Sequence, residues 1–205
     1  MKELLTRKSI ILSLGFGEEK FPLLISYVER LWAANLELNL FSRQMQSQAL
    51  VDNHVVDCVL ALQHLPLEAK VIADLGSGGG LPGVIFAIAR PHVKFVLYEK
   101  SPLKRGFLSS CRELAPNFEI RAEITEKIEG VDCVTARAFK PLDVILEMTR
   151  GYFLSGGKYA LLKGRKEKID EEIELSIKKF KNVKCQLIAL KSPLLEVERH
   201  VVKIN

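Results

Sequence analysis

An aspartate followed by a glycine-rich turn is the feature of this chain best suited to bind a ligand. Residues 71–75 form a short apolar run that contains Asp74, and five glycines fall within residues 76–83. An apolar helix is predicted from Leu81 to Arg90, with a proline near its first turn. Because glycine permits unusual backbone conformations and close approach, the sequence predicts a ligand crevice where the strand meets the helix.

The charge of Asp74 distinguishes between the ligands that such a crevice could take. Gly78-x-Gly80-x-x-Gly83 matches the dinucleotide pattern, but a carboxylate ending the strand would repel a pyrophosphate. The P-loop pattern fails, because Val84 and not lysine follows Gly83. S-adenosyl-L-methionine (SAM) carries a sulfonium and an α-ammonium and suits the carboxylate better. The alternative is that Asp74 caps the N-terminus of the helix.

Glu99 is the second carboxylate of interest. It closes the predicted strand Lys94–Tyr98 about 20 residues after the glycines, where an acidic side chain can bind both ribose hydroxyls of an adenosine. This role would suit either SAM or NAD. The structural alternative is a surface ion pair with Lys100 or Lys104.

The rest of the chain alternates predicted strands and helices in the order of a parallel sheet. Further strands are predicted at 118–122, 131–136 and 158–163, and helices at 103–115, 141–153 and 166–180. The last two strands, 183–190 and 198–204, are joined by a loop that is too short for a crossover helix, which predicts an antiparallel hairpin. Dehydrogenase sheets usually remain parallel, so this ending favours a methyltransferase.

Residues 1–65 are predicted to form a helical extension packed on a sheet domain of residues 66–205, with the turn at 65–68 as the boundary. Tyr27 and Trp32 are interpreted as core residues rather than platforms for stacking bases. The apolar residues at helical spacing are Phe21, Leu24, Tyr27, Val28, Leu31 and Trp32 in one stripe and Val51, Val55, Val59 and Leu62 in another.

Composition favours one soluble domain. The 205 residues are 48% hydrophobic and carry a net charge of +5. No apolar run approaches the ~20 residues needed to span a bilayer, so a soluble, cytoplasmic protein is expected. The cysteines at 58, 111, 133 and 185 lack the spacing of a zinc site and are predicted to be buried free thiols.

Basic residues are concentrated around the end of the predicted strand 158–163. Such a cluster could neutralise several phosphates of a nucleic acid. Its members are Lys158, Lys163, Arg165, Lys166 and Lys168. The lysines between 178 and 184 continue the basic character on a helix that also carries many carboxylates, and a solvated face is the better interpretation there.

The end of the fourth strand bears on which atom would accept a methyl group. Methylation of an exocyclic amine commonly uses an Asn/Asp-Pro-Pro-aromatic turn, whereas this chain has Thr135-Ala-Arg-Ala-Phe139. No Pro-Cys pair supplies the thiol that C5 of a pyrimidine requires. A ring nitrogen such as guanine N7 has its own lone pair, so aligned approach carries the catalysis and no catalytic residue is assigned. Arg137 could hold an anionic group, stack on a base or form a structural salt bridge.

Taken together, these segments resemble the bacterial 16S rRNA guanine-N7 methyltransferase family, also called the glucose-inhibited division protein B family. The similarity spans nearly the whole chain, and the Gly-Leu-Pro-Gly and Arg-Ala-Phe sequences are highly specific in combination. The segments that carry it are Asn39-Leu40, Asp52–Asp57, Asp74–Gly83, Glu99–Ser101 with Lys104-Arg105, Ala136–Phe139, Leu162–Gly164 and Glu198–Lys203.

The resemblance implies a SAM-dependent methyltransferase with a seven-stranded, mostly parallel α/β sheet, acting on N7 of a guanosine in 16S rRNA near the decoding centre of the 30S subunit. A monomer with no metal is expected. Adding Asp74 and Gly78 from the crevice, the expected cofactor-binding residues are Asp74, Gly76, Gly78, Leu81, Glu99, Lys100, Ser101, Thr125, Glu126 and Arg137. Gly76 and Leu81 would contact the donor, Glu99 to Ser101 its ribose, and Thr125 and Glu126 its adenine. The expected RNA contacts are Lys163, Arg165, Arg199 and His200, and His200 has the alternative of a strand residue satisfied by backbone.

The chain departs from the family pattern at a few positions. Family members often have Asn-Leu-Thr-Ala where this chain has Asn39-Leu-Phe-Ser42, Asp-Ser where it has Asp57-Cys58, and aspartate in place of Glu99. These changes bear on fine substrate positioning and not on the donor site. Two other functions stay open, an NAD-dependent oxidoreductase and an rRNA-binding assembly factor that keeps a donor pocket without turnover.

Overall fold

A seven-stranded sheet organises the protein. A computed structural model describes residues 2–181 and 183–204, and the sheet order is β3-β2-β1-β4-β5-β7-β6. Strands β1 to β5 pair in parallel, and β7 runs antiparallel to both β5 and β6. The strands are β1 (Val71–Leu75), β2 (Lys94–Tyr98), β3 (Phe118–Arg121), β4 (Cys133–Arg137), β5 (Tyr159–Lys163), β6 (Cys185–Leu190) and β7 (Arg199–Ile204). The predicted α/β class and the closing antiparallel pair are confirmed.

Helices cover both faces of the sheet. The α-helices are α1 (Lys2–Thr6), α2 (Lys8–Ser13), α3 (Phe21–Leu38), α4 (Ser47–Leu50), α5 (Val56–Leu62), α6 (Gly83–Ala89), α7 (Pro102–Ser110), α8 (Leu142–Met148), α9 (Arg150–Leu154) and α10 (Lys166–Phe180). A 3₁₀ turn at Glu18–Lys20 precedes α3, and a π-helical turn at Val51–Val55 joins α4 to α5. Within the described residues, no helix combines the length and apolarity needed to cross a membrane.

The one helix predicted over 141–153 is two helices in the structure. The break falls at Thr149, whose hydroxyl donates to the carbonyl of Ile145 at 2.8 Å and contacts the hydroxyl of Tyr159 at 2.7 Å. A threonine that bonds back to the carbonyl four residues earlier bends a helix. The helix predicted over 103–115 also ends early, at Ser110. The predicted bounds of β1, β2 and α10 are confirmed.

Two hydrophobic layers, one on each face of the sheet, hold the fold together. The N-terminal helices pack with α6 on one face, around Tyr27, Val55 and Phe86, and α8 to α10 pack on the other, around Ile145 and Tyr159. Buried parallel strands need both faces covered. The two predicted apolar stripes are buried except Trp32, which is half-buried.

The helical extension shares its core with the sheet. The first layer contains Leu24 and Val59 together with the strand residues Ile72 and Phe95. The Arg90 guanidinium also donates across the proposed boundary, to the carbonyl of Leu62 at 2.9 Å and to that of Leu65 at 3.3 Å. The division of the chain at residue 65 therefore stays a prediction. The helical extension and the sheet pack into one shared core.

Candidate functional site

The glycine-rich turn after β1 forms the predicted crevice. Gly76 has φ of +70°, and a Cβ built on it would lie 2.1 Å from the ring of Phe139. No side chain fits there, because both the backbone conformation and the contact demand glycine. The turn therefore requires glycine at position 76 for two independent reasons. The second of them, the contact with Phe139, involves a residue on the turn after β4.

Asp74 is fully buried beneath this turn. Its Oδ2 accepts a hydrogen bond from the amide of Gly83, the first residue of α6, at 3.2 Å, so the capping alternative is observed. Its Oδ1 has no partner among the described residues. Burial raises the pKa of Asp74 to about 7. One carboxylate oxygen therefore remains for a donor or cation at the crevice.

Glu99 links the turn to the end of β2. Its Oε2 accepts from the amide of Gly78 at 2.9 Å and its Oε1 from the amide of Ser101 at 2.8 Å. Within the described residues, neither Lys100 nor Lys104 pairs with Glu99. The alternative of a surface ion pair is therefore not observed. Each oxygen keeps a second lone pair, and ribose binding by Glu99 stays a prediction.

Tyr27 has a role at the crevice that sequence reasoning missed. Its packing role is confirmed by full burial, and its hydroxyl also donates to the carbonyl of Gly79 at 2.7 Å. The two residues lie 52 positions apart, so helical spacing gave no signal of the contact. Trp32 stacks on Phe41 with ring centroids 5.7 Å apart, as expected of a packing residue.

A cavity of about 390 Å³ opens beside the crevice, at the carboxyl ends of β4 and β5 and the start of β7. Arg137, Lys163, Arg199 and His200 line it, so the structure brings these four predicted residues together. Arg165 is exposed and is not among the lining residues. Its other lining residues include His54, Asp57, Phe139 and Glu172.

Arg137 contacts His54 across the cavity wall. The guanidinium Nη2 lies 2.7 Å from Nδ1 of the imidazole, and no described carboxylate pairs with Arg137. Its buried Nε has no described partner. Burial, followed by the charge of Arg137, lowers the pKa of His54 to about 4. The imidazole is therefore neutral near physiological pH, and the predicted structural salt bridge of Arg137 is not formed within the described residues.

Arg199 pairs with Asp57 on the same wall. Its Nε lies 2.5 Å from Oδ2 of Asp57, whose pKa is raised by burial against the opposing effect of Arg199. His54 and Asp57 are three residues apart, a spacing that places side chains on one helical face. Both belong to the segment Asp52–Asp57. Their spacing of three residues is the sequence signal that could have predicted their shared face.

Lys163 fixes the turn after β4. Its Nζ donates to Oε2 of Glu172 at 2.7 Å and to the carbonyl of Lys140 at 2.8 Å. The same Glu172 oxygen accepts from the amide of Leu142 at 2.9 Å. RNA contact by Lys163 stays a prediction, but its ammonium already has protein partners.

The other predicted RNA-contact and adenine residues are more dispersed. His200 is buried, with Nδ1 2.6 Å from the carbonyl of Gly164, the alternative expected of a strand residue. Lys158 lies at the opposite end of β5 and lines a second cavity, so the basic cluster is not one continuous patch. Thr125 and Glu126 are exposed on the loop after β3, and the Thr125 hydroxyl donates to the carbonyl of Lys127. The adenine role of both stays a prediction.

Comparison with known proteins identifies the family. The model of the family described as rRNA small subunit methyltransferase G matches residues 20–202. A ribosomal RNA small subunit methyltransferase G 1 from Bdellovibrio bacteriovorus is 56% identical over 198 residues, covering 97% of each chain. A ribosomal RNA small subunit methyltransferase G from Laribacter hongkongensis is 35% identical over 213 residues, covering 100% of this chain and 98% of its own.

Solved structures share the fold at low identity. A ribosomal protein L11 methylase from Lactobacillus delbrueckii subsp. bulgaricus has a TM-score of 0.55 at 10% identity, covering 75% of this chain and 78% of its own. Fibrillarin from Aeropyrum pernix, in complex with natively bound SAM, has a TM-score of 0.52 at 14% identity, covering 71% and 73%. Both share the class I methyltransferase fold with this chain. The chain therefore belongs to the rRNA small subunit methyltransferase G family.

Proposed function

We propose that the protein transfers a methyl group from SAM to N7 of a guanosine in 16S rRNA, near the decoding centre of the small ribosomal subunit. The observation that carries the proposal is that one residue, Phe139, belongs to both sites. Its ring packs on Gly76 in the crevice and also lines the cavity. A donor in the crevice and a base in the cavity would therefore be neighbours, as direct methyl transfer requires.

The crevice residues fit the donor. SAM supplies an electrophilic methyl group on a sulfonium. Asp74 offers a buried, unpartnered oxygen to the cationic aminoacyl end of the donor, and Glu99 offers its remaining lone pairs to the ribose. The further residues proposed to hold the donor are Gly76, Gly78, Leu81, Lys100, Ser101, Thr125, Glu126 and Arg137.

The cavity residues fit a base that needs no deprotonation. N7 of guanine attacks with its own lone pair, so the protein has to orient the base and exclude water. The cavity wall presents Arg137 and a neutral His54, neither of which is an effective base near neutral pH. Arg165 and the exposed part of Arg199 are proposed to contact phosphates of the RNA at the cavity rim.

Family membership and the antiparallel end of the sheet leave the oxidoreductase alternative without support. Only a measurement of methyl transfer distinguishes the enzyme from an assembly factor that binds SAM without turnover. The substrate implies a cytoplasmic enzyme that acts on the 30S subunit. We propose that it works as a monomer, since the described residues of one chain supply both sites.

The test is to incubate the protein with methyl-labelled SAM and 30S particles that lack the modification, then to map the labelled nucleotide. Label on N7 of one 16S rRNA guanosine is expected. Label on another atom, on protein or on a small metabolite would contradict the proposal, and tight SAM binding without any transfer would favour the assembly factor.

A further inference from the structure

The imidazole of His54 has its hydrogen-bonding pattern fixed by Arg137. A guanidinium has donors and no acceptor, so Nδ1 of His54 must accept at the 2.7 Å contact. A ring that accepts at Nδ1 and stays neutral carries its proton on Nε2. Burial and the nearby charges of Arg137 and Arg199 lower the pKa of His54 to about 4 and keep the ring neutral. The His54 ring, which lines the cavity, therefore carries a neutral N–H donor at Nε2.

Three other polar side chains on this wall already have protein partners. Arg199 bonds Asp57 and the carbonyl of Glu198. Lys163 bonds Glu172, and His200 contacts the carbonyl of Gly164. For Nε2 of His54, no partner is found in the described parts of the chain. His54 thus offers a fixed donor that the protein itself does not use.

The backbone around His54 is also unusual. His54 lies in the π-helical turn Val51–Val55, between α4 and α5. Single π-helical turns are rare and occur frequently at functional sites, because the extra residue per turn shifts the side chains that follow. The turn and the Arg137 contact are independent observations on the same side chain.

We propose that His54 donates from Nε2 to the O6 carbonyl of the target guanine and so selects guanine over adenine. The proposal rests on the proposed function and names the specificity-determining residue of its acceptor site. On the edge of guanine that bears N7, the neighbouring group is the acceptor O6, whereas adenine presents the N6 amino donor there. A donor on the wall would pair with the first and oppose the second.

A neutral donor also suits the chemistry better than a cation. The methyl group arrives on a positively charged sulfonium, and an additional uncompensated positive charge beside N7 would oppose its approach. His54 can bond O6 without adding charge, while Arg137 acts through it as a positioning residue that sets the tautomer. The base preference of the enzyme should therefore depend on one side chain and one base atom.

The experiment pairs His54 variants with base analogues at the target position of 16S rRNA in reconstituted 30S particles. The bases are guanine, hypoxanthine, which keeps O6 and lacks the 2-amino group, and 2-aminopurine, which lacks O6. The variants are His54→Asn, which keeps an acceptor near Nδ1 to hold Arg137, and His54→Gln, which restores an amide donor near Nε2. His64→Asn, in the turn after α5 and lining the second cavity, is the control.

Wild type is expected to methylate 2-aminopurine roughly tenfold less efficiently than guanine in kcat/KM, the loss expected from one hydrogen bond. His54→Asn should lose about the same factor on guanine and hypoxanthine and little further on 2-aminopurine. His54→Gln should recover part of the guanine preference. SAM affinity and the thermal midpoint should stay near wild type in both variants, and His64→Asn should change nothing.

Equal losses on guanine and 2-aminopurine in His54→Asn would overturn the inference and leave a merely structural role. Unchanged activity in that variant would overturn it as well. If wild type places label on an atom other than N7 of guanine, the proposed function fails and the inference fails with it. If wild type labels N7 of guanine but the loss in His54→Asn does not depend on O6, only the role of His54 is wrong and the proposed function stands.

Discussion

The donor crevice and the acceptor cavity are adjacent, but they are built differently. The crevice uses residues between Asp74 and Ser101, held mostly by backbone amides that bond to two carboxylates. The cavity wall joins side chains far apart in sequence, with Arg137 and His54 separated by 83 positions and Arg199 and Asp57 by 142. Local sequence therefore specifies most of the crevice, with Tyr27 and Phe139 as its distant contacts, whereas only the folded chain creates the cavity.

The largest effect is expected in the crevice, from Gly76→Ala. The added Cβ would meet the Phe139 ring in a backbone conformation that alanine avoids, so the turn must move. SAM affinity should fall by at least about 100-fold, since small displacements of binding groups are costly. Calorimetric titration would measure it.

Gly106→Ala is the matched control for this variant. Gly106 lies in α7, and a Cβ there would meet nothing within 4 Å. Alanine at this helical position should stabilise the fold by roughly 0.5–1 kcal/mol and leave SAM binding intact. If both variants bound SAM like wild type, the crevice would not depend on the Gly76 turn.

Arg137→Ala tests the residue that joins the two regions. Loss of the guanidinium removes a group proposed at the donor site and frees the His54 tautomer, so turnover or donor affinity should fall by about 100-fold while the fold survives. Steady-state kinetics with a circular dichroism spectrum would check this. Arg150→Ala, at an exposed arginine of α9 that pairs with Glu147, is the control and should retain activity. Wild-type turnover in Arg137→Ala would remove this residue from the site.

Lys163→Met tests how the cavity is supported. Its ammonium and the Glu172 carboxylate are each largely buried, with side chains 13% and 11% exposed, so removing one partner leaves the other uncompensated. The free energy of unfolding in urea should drop by about 2–3 kcal/mol, somewhat less than for a fully enclosed pair. Lys163→Met combined with Glu172→Leu should recover part of it. An unaltered unfolding midpoint in the single variant would mean that the ion pair does not support the turn after β4.

The smallest effect belongs to the exposed rim. Arg165→Ala should weaken 30S binding only a few-fold and reduce the salt slope by about 1, as expected when one phosphate contact is lost. Lys163→Met should reduce that slope by less, because its charge is already paired with Glu172. A reduced slope for Lys163→Met and none for Arg165→Ala would reverse the two roles.

What the sequence predicted follows the same division. The strand, turn and helix around Asp74 and the position of Glu99 could be predicted because their partners lie on neighbouring elements. The roles expected of Arg137, Arg199 and His200 came from a family resemblance, which predicted neither their shared cavity nor their partners. The pairing of Lys163 with Glu172 depends on how α10 packs against β5, which charge patterns along a helix do not specify. The contact of His54 with Arg137 likewise requires the π-helical turn to be in place.

The central claim is that the crevice takes a cationic donor at Asp74. Without ligand, burial raises the pKa of Asp74 to about 7, so the carboxyl is mostly protonated near pH 6. This folded-state pKa lies above the unfolded one, so the protonated Asp74 contributes to the free energy of unfolding at low pH. That contribution is lost as the pH rises through about 7. A bound ammonium favours the charged form and should expel the proton.

Calorimetric titration of SAM in buffers of different ionisation enthalpy measures that proton directly. Near pH 6 the α-amino group of free SAM is already charged. Wild type should therefore release close to one proton per SAM at that pH, and Asp74→Asn should release almost none. Equal proton release by wild type and Asp74→Asn near pH 6 would contradict the account.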